Sequence, residues 1–535
     1  VIRSLRSVRP SPASTPLGAL MAGAVLAACG PAGPAGPPAP PNVVEASISG
    51  LQQEILAGDT TCRLVVQAHL DRIEAYDAST GLNAITVVNP RALEVADSID
   101  AALAEGATPG PLFCAPMLVK DNFDTHDLPT TGGSIALAGS IPPDDAFMVR
   151  RLREAGAVIL AKTNMAEWAF SPRQSISSSY GTTANAYSLD HVPAGSSGGT
   201  ASGVAASFGV AGLGSDTGNS IRGPSSHLAL VGIRSTIGLT SRDGVIPLAF
   251  DRDIAGPMGR SVEDVARIFT VVAGYDPADP YTEAGQGRAE RDYIGFLERN
   301  GLRGKRLGVF APYANRPEAD TAVTRLFQEA VAELDRQGAF IVDFDLPELQ
   351  SLLAGNSCQR FRYDVGVYLA SLGDGAPIRD VVEVLETGEY GPDAEGGLRS
   401  FAEGPLDIHP RDQDPPCPDF AVHPGRQAAL AAVVAAMDEL FLDAFIFPTW
   451  SNPPAPLDRG NEEYRGDNSQ GLVPVTGLPA ITVPMGFTYG NLPAGLQMVA
   501  RPYDEGLLFT LAYGYEEATG HRRPPPLFPP LESSR

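Results

Sequence analysis

Lys120 in LVKDN (118–122), Ser196 in AGSSGGT (194–200) and Ser220 in GSDTGNSIR (214–222) are the residues of this chain whose types could carry chemistry together. A serine hydroxyl is a weak nucleophile until a neighbouring base takes its proton, and a lysine can be that base once it is neutral. Of the 39 Lys plus Arg in 535 residues, only Lys120, Lys162 and Lys305 are lysines. Arginine does not deprotonate in proteins, so a chain this biased toward guanidinium retains lysine where an uncharged amine is needed. The chemistry suggested is acyl transfer to a serine with lysine in the place of histidine.

Both serine segments are rich in small residues. GSSGGTASG (195–203) and GSDTGNS (214–220) have glycine at nearly every second position, which lets backbone N–H groups converge and a ligand approach closely. A phosphate loop would need GxxxxGK[ST], and no lysine follows either segment. A nucleophile elbow, GxSxG, is formally present around Ser197, but SLDHVPA (188–194) is not the apolar strand that an elbow needs before it. A Ser-His-Asp esterase at Ser197 stands as an alternative, as does a non-catalytic surface-binding protein of the same fold. Asp216 and Arg222 flank Ser220 and are expected to pair and hold its loop. Ser197 is expected to hydrogen-bond within that network or to pack, and Lys162 to make a structural contact. His191 and His227 are expected to be satisfied or solvent-facing. No HExxH or carboxylate cluster points to a metal, and no cofactor is expected.

The bulk numbers limit the function classes. Hydrophobic residues make up 43% and charged residues 19%, an ordinary globular balance, and the formal charge is −24. Nucleic-acid binding calls for clustered Lys and Arg, and no such run exists. Arg3, Arg6 and Arg9 precede the apolar LGALMAGAVLAA (17–28), which ends in Ala28-Cys29-Gly30. This resembles a bacterial lipoprotein signal, so residues 1–28 are expected to be removed and Cys29 lipidated. PAGPAGPPAPPN (31–42) then reads as a spacer, giving a 29–42 tether that lifts the catalytic body off a membrane touched only through the lipid. The expected location is extracytoplasmic, in the cell envelope. Cys62, Cys114, Cys358 and Cys417 match no zinc spacing; a Cys358–Cys417 disulfide and four free thiols both stay open.

The elements that must position these residues follow from patterning. Residues 47–77 read as two helices broken at Gly58, with Asp59–Thr61 able to cap the second. ALEVADSIDAALAEG (92–106) and VTRLFQEAVAELDRQG (323–338) are further helices. Apolar runs at 157–160, 209–214, 307–310, 339–344, 444–448 and 480–484 read as buried strands. The alternation predicts an α/β fold, one domain over 43–530 with a mixed sheet covered by helices on both faces. Residues 370–425 read as a long irregular surface excursion or lid, and 355–470, with Trp450 and Tyr464, as the source of specificity.

Five blocks in order resemble the amidase signature family: PLFCAPMLVKDNFDT, ILAKTNMAEWAF, SSSYGTTANAY, AGSSGGTASGVAASFGVAGLGSDTGNSIRGP and GLPAITVPMGF. GLTSRDGVIPLAFDRDIAGPMGRSVEDVA (238–266) is similar to the peptide amidase branch in particular. The resemblance implies that Ser220 is the nucleophile, Ser196 the bridging serine after a cis peptide, and Lys120 the base. It implies an oxyanion hole from the backbone N–H groups of Thr217, Gly218, Asn219 and Ser220, an acyl-enzyme, and hydrolysis by water. It implies as substrate a small-molecule or peptide amide, with peptide C-terminal amides, aryl amides, esters and carbamates (urethanes) unranked. A glutamyl-tRNA amidotransferase subunit would share these residues; the export signal and the lack of basic patches argue against it. Asn219 stands where the family has glycine, Ala229, Arg234 and Ser235 depart from its pattern, and Cys114-Ala115 replaces Gly-Ile.

Overall fold

The computed structural model describes residues 38–532 apart from Ser357. The expected signal peptide (1–28), Cys29 and most of the 29–42 spacer lie outside the described residues. From Pro38 onward the chain packs as a single unit.

The strands in chain order are β1 (Ile85–Val88), β2 (Pro116–Lys120), β3 (Val158–Thr163), β4 (Ile176–Ser177), β5 (Gly181–Thr182), β6 (Ala211–Asp216), β7 (Val231–Arg234), β8 (Ile254–Gly259), β9 (Arg306–Phe310), β10 (Phe340–Phe344), β11 (Ala444–Pro448), β12 (Ala480–Thr488) and β13 (Leu492–Val499). β4 and β5 form a separate hairpin. The rest build one eleven-stranded sheet in the order β1-β3-β2-β6-β8-β7-β12-β13-β11-β9-β10. It is mixed: β2 runs parallel to β3 and β6, and β9 parallel to β10 and β11, while β6/β8 and β12/β13 are antiparallel. Each of the six strands expected from apolar runs has a counterpart here.

Side-chain alternation shows why helices cover both faces. Ala444 and Ile446 of β11 join one apolar cluster with Leu326, Phe327, Val265 and Phe509, whereas Phe445 and Phe447 join another with Val433, Met437 and Leu472. Successive residues of a strand point to opposite faces, so a strand buried on both faces reads as an unbroken apolar run. The first cluster is capped by helices Val262–Val272, Thr321–Arg336 and Glu505–Thr519, the second by Pro424–Glu439 and Leu472–Thr476. Gly58 ends helix Ile48–Ala57 at φ 79°, and the Thr61 hydroxyl caps Cys62–Thr80 by accepting from Leu64 N.

One expectation needs correction, and one question left open, the state of the cysteines, is answered with the Cys358–Cys417 pairing present. The 370–425 stretch is not irregular throughout: it holds helices Val381–Thr387 and Pro392–Phe401, the first started by an Asp380/Glu383 capping box. The cysteines form two disulfides, Cys62–Cys114 as well as Cys358–Cys417, with Cα separations of 5.5 and 5.6 Å. Cys114 sits at φ 56°, a left-handed conformation that suits the glycine of the family pattern better than cysteine. Among the described residues no helix is long and apolar enough to cross a membrane.

Candidate active site

Lys120 is the last residue of β2, and the parallel strand beside it, β6, ends at Ser215 and Asp216. The carboxyl ends of neighbouring parallel strands open a crevice, the usual place for ligands in α/β sheets. Two loops fill it. One carries Ser196 into helix Gly198–Ala205, through a cis Gly195–Ser196 peptide; a Cβ at Gly195 would collide with the carbonyls of Ser171 and Gln174, so only glycine fits there. The other, residues 217–221, carries Ser220 into helix Arg222–His227.

Lys120 is fully buried. Its Nζ donates to Ser196 Oγ at 2.7 Å and to Ser215 Oγ at 2.8 Å, and Asn122 Nδ2 donates to the same Ser215 oxygen at 3.0 Å. Burial pushes the Lys120 ammonium down from 10.5 to about 7, against the opposing pull of the Asp253 and Asp216 carboxylates. A lysine so placed is half neutral near pH 7 and can accept a proton from Ser196. Ser220, also buried, has its Oγ 3.4 Å from Asn219 Oδ1. Among the described residues no hydrogen bond joins Ser220 to Ser196, so the path is closed at its lysine end and open at Ser220.

The loop around Ser220 is held from behind by charge. Asp216 accepts from Ile221 N at 3.1 Å, from Arg222 Nε at 3.1 Å and from Arg234 Nη1 at 2.9 Å. Burial pushes this carboxyl up, but Arg222 and Arg234 more than reverse it and hold it at about 2. Asp216 and Arg222 thus pair as expected, and Arg234, a departure from the family pattern, proves to be a second cation on the same carboxylate. With the loop pinned there, the backbone N–H groups of Thr217, Gly218, Asn219 and Ser220 donate to no other group among the described residues. Four free donors on one turn can receive an oxyanion.

Asn219 faces Ser220 through its Oδ1 and other residues through its amide nitrogen. Its Nδ2 donates to Asp467 Oδ2 at 3.0 Å and to Pro172 O at 3.2 Å. Asp467 also accepts from Tyr464 OH at 2.9 Å, and burial raises its carboxyl to about 6. Ser197 Oγ donates to Ser215 O at 3.2 Å, which puts it inside the network as a strut. Lys162 Nζ donates to Phe123 O and Thr130 Oγ1, both at 2.7 Å, a structural contact as expected.

The histidines differ from expectation in one respect. His191 Nδ1 is within 2.9 Å of Ser188 Oγ and Asp190 Oδ1, but His227 is buried with neither ring nitrogen bonded, and its ring centre lies 4.5 Å from that of Trp450. Burial holds His227 down at about 3, so it stays neutral. Among the described residues no histidine hydrogen-bonds to Ser197 or Ser220, and the Ser-His-Asp alternative has no histidine in place. His126, Asp127 and Asp145 could meet at one point, but Arg153 already pairs with both carboxylates.

A cavity of about 200 Å³ opens onto Thr217, Gly218 and Ser220, walled by Phe170, Phe361, Phe401, Leu248, Cys358 and Gln470. Cavities of about 590 and 410 Å³ include none of Lys120, Ser196 and Ser220, although the second shares Arg360 with this wall. Chemistry, not size, places the site. The 355–470 stretch supplies Cys358, Arg360, Phe361 and Phe401 to this wall, whereas Trp450 and Tyr464 border a separate small void. Ser215, Asn122 and Arg234 are the site residues that sequence reasoning missed; the first two sit inside the quoted motif blocks, which was the available signal.

A family model described as Amidase matches residues 64–509. The chain belongs to the amidase signature family. As an amidase signature enzyme it acts on amide C–N bonds. It is similar to a glutamyl-tRNA(Gln) amidotransferase subunit from Synechococcus sp. (strain CC9902), 32% identical over 88% of this chain and 96% of the relative. The corresponding subunit from Symbiobacterium thermophilum is 33% identical over 90% and 98%. Among solved structures it resembles native peptide amidase from Stenotrophomonas maltophilia, with a TM-score of 0.79 and 35% identity over 90% of this chain and 98% of that one. An amidase family protein from Bacillus anthracis gives a TM-score of 0.76 at 28% identity, covering 90% and 92%. The matches thus include both peptide amidase and amidotransferase subunits.

Proposed function

We propose that this amidase hydrolyses carboxylic amides through Lys120, Ser196 and Ser220. Neutral Lys120 takes the Ser196 proton while Ser196 takes that of Ser220, since a hydroxyl donates and accepts at once. Ser220 Oγ attacks the carbonyl carbon, and the oxyanion forms toward the free N–H groups of Thr217, Gly218, Asn219 and Ser220, each such donor worth about 3 kcal/mol in a transition state. The relay then runs backwards: Lys120 returns its proton through Ser196 to the departing nitrogen, the C–N bond breaks, and an acyl-Ser220 ester remains. Water, deprotonated by the same relay, releases the acid. Before attack the Ser220 hydroxyl must rotate from Asn219 toward Ser196, a tightening common when substrate arrives.

The observation that carries this reading is the 2.7 Å contact of the buried Lys120 with Ser196, beside a loop whose four N–H groups are free among the described residues. Labelling by a fluorophosphonate probe tests it. Ser220→Ala should abolish both labelling and turnover, while Ser197→Ala and His227→Gln should keep most of each; loss at Ser197 with retention at Ser220→Ala would overturn the assignment.

The likeness to peptide amidase favours peptide amides as substrates. A lipid-anchored, extracytoplasmic enzyme remains our reading of the sequence before residue 43, and labelled palmitate incorporation lost on Cys29→Ser tests it. The amidotransferase relatives favour a second reading, a glutamine-hydrolysing component of a larger complex. Glutaminase activity that appears only with partner proteins would support that reading, and free-standing hydrolysis of simple amides would reject it.

A further inference from the structure

The cavity beside Ser220 has a charge asymmetry that hydrolysis of a neutral amide does not require. Its wall contains two arginines, Arg252 and Arg360, and no aspartate or glutamate, in a chain whose formal charge is −24. The carboxylates next to Arg252 in sequence are engaged with other groups, whereas Arg360 is itself paired in part, with Asp364 and, at 3.8 Å, with Asp251. Asp253 accepts from Leu248 N at 2.9 Å and Ala249 N at 3.0 Å and from the Thr217 hydroxyl, and Asp251 pairs with Arg426 at 2.5 Å. Asp364 takes Arg360 Nε at 2.6 Å and Nη2 at 3.0 Å.

What remains are donors without acceptors. Arg360, only 5% exposed, has Nη1 buried and unpartnered. Arg252 makes no ion pair and no side-chain hydrogen bond among the described residues, and its Nε is buried and unpartnered as well. Its contact with Arg234 Nη2, at 2.6 Å, is through the backbone carbonyl and leaves the guanidinium free. A buried guanidinium N–H without an acceptor is costly, whereas a carboxylate in reach converts it into a charge-assisted bond of fixed geometry. Phe170, Phe361 and Phe401 on the same wall exclude water and strengthen such a bond.

We propose, on the basis of the amidase reading above, that Arg252, with the free Nη1 of Arg360, forms a carboxylate subsite, so that the preferred substrates are amides carrying an anionic group on the acyl or the amine portion. Arg252 is then a specificity-determining residue that touches substrate away from the reacting atoms. Apolar wall and paired cations together suit a short acyl or aryl group ending in a carboxylate.

The test is a set of matched anilides on the purified protein. Glutaric mono-4-nitroanilide against valeric 4-nitroanilide places the charge on the acyl side; 4-butyramidobenzoate against butyranilide places it on the amine side. One pair should show kcat/KM at least tenfold higher for the charged member, and raising KCl from 0.05 to 0.5 M should narrow that ratio. Arg252→Gln should cut the ratio at least tenfold, and Arg252→Lys should restore part of it. A ratio at or below one in both pairs overturns the subsite, as does a ratio unchanged in Arg252→Gln. The wild-type ratios decide the matter even if the variant does not fold. Turnover of neutral anilides without preference removes this inference alone; no turnover of any anilide together with no fluorophosphonate labelling of Ser220 removes the hydrolase reading beneath it.

Discussion

The acid limb of the rate profile is the most direct measure of whether Lys120 is the base. An ordinary lysine at 10.5 would be about 0.03% neutral at pH 7, whereas a value of about 7 makes it about half neutral. Burial therefore raises the competent fraction on the order of a thousandfold, against a shift that corresponds to about 5 kcal/mol of disfavoured charge. The profile of kcat/KM reports the free enzyme, so with an uncharged anilide it should be flat above about pH 8. Below about pH 6 it should fall roughly tenfold per unit, reaching about one hundredth of the plateau at pH 5. The assay is initial-rate hydrolysis from pH 5 to 9.5 in buffers of constant ionic strength. Lys120→Arg should have no plateau at all, because guanidinium keeps its proton and cannot serve as base. A limb centred near pH 10, a flat profile down to pH 5, or an active Lys120→Arg variant would refute the reasoning.

Asp253→Asn removes a carboxylate that favours the Lys120 ammonium, so the acid limb should move to lower pH; an upward shift would contradict the electrostatic argument. The Asp216 carboxyl is held at about 2 in the folded protein against 3.8 unfolded, so the stability it contributes, about 2.5 kcal/mol, is complete above pH 4 and lost as pH falls through about 2. Asp216→Asn, which strands Arg222 and Arg234, should cost about 3–5 kcal/mol in urea unfolding at pH 7. Asn219→Gly deletes a donor to buried Asp467 and frees the loop; a loss of about 1–2 kcal/mol with a several-fold drop in kcat is expected, and no change in either would make Asn219 a passive occupant.

Legibility of the chain followed the physics of each element. Strands packed between two helix layers, such as Ala444–Pro448, are plain because both faces are apolar. Pro116–Lys120 and Ile254–Gly259 escaped notice because lysine, proline and glycine interrupt the apolar run, although the first of them delivers Lys120 to the crevice. Lys120, Ser196 and Ser220 were legible through motif blocks that must stay intact wherever backbone approaches backbone. Arg234 was visible only as an oddity, since its role depends on Asp216, 18 positions away and on another strand. The cavity wall was the least legible. Phe170, the 248–252 segment with Leu248 and Arg252, Arg360 and Phe401 are far apart in sequence, and nothing in their local spacing says that they meet.

The two cysteine crosslinks each tie down a segment that serves the site. Cys114 stands just ahead of the strand that ends in Lys120 and is tied to the second helix, while Cys358 belongs to the substrate wall and is tied to Cys417. A polypeptide matured among reductants would own every reacting group yet leave its wall untethered. Batches alike in sequence should then differ in how tightly they grip substrate, according to the oxidant present when they were made.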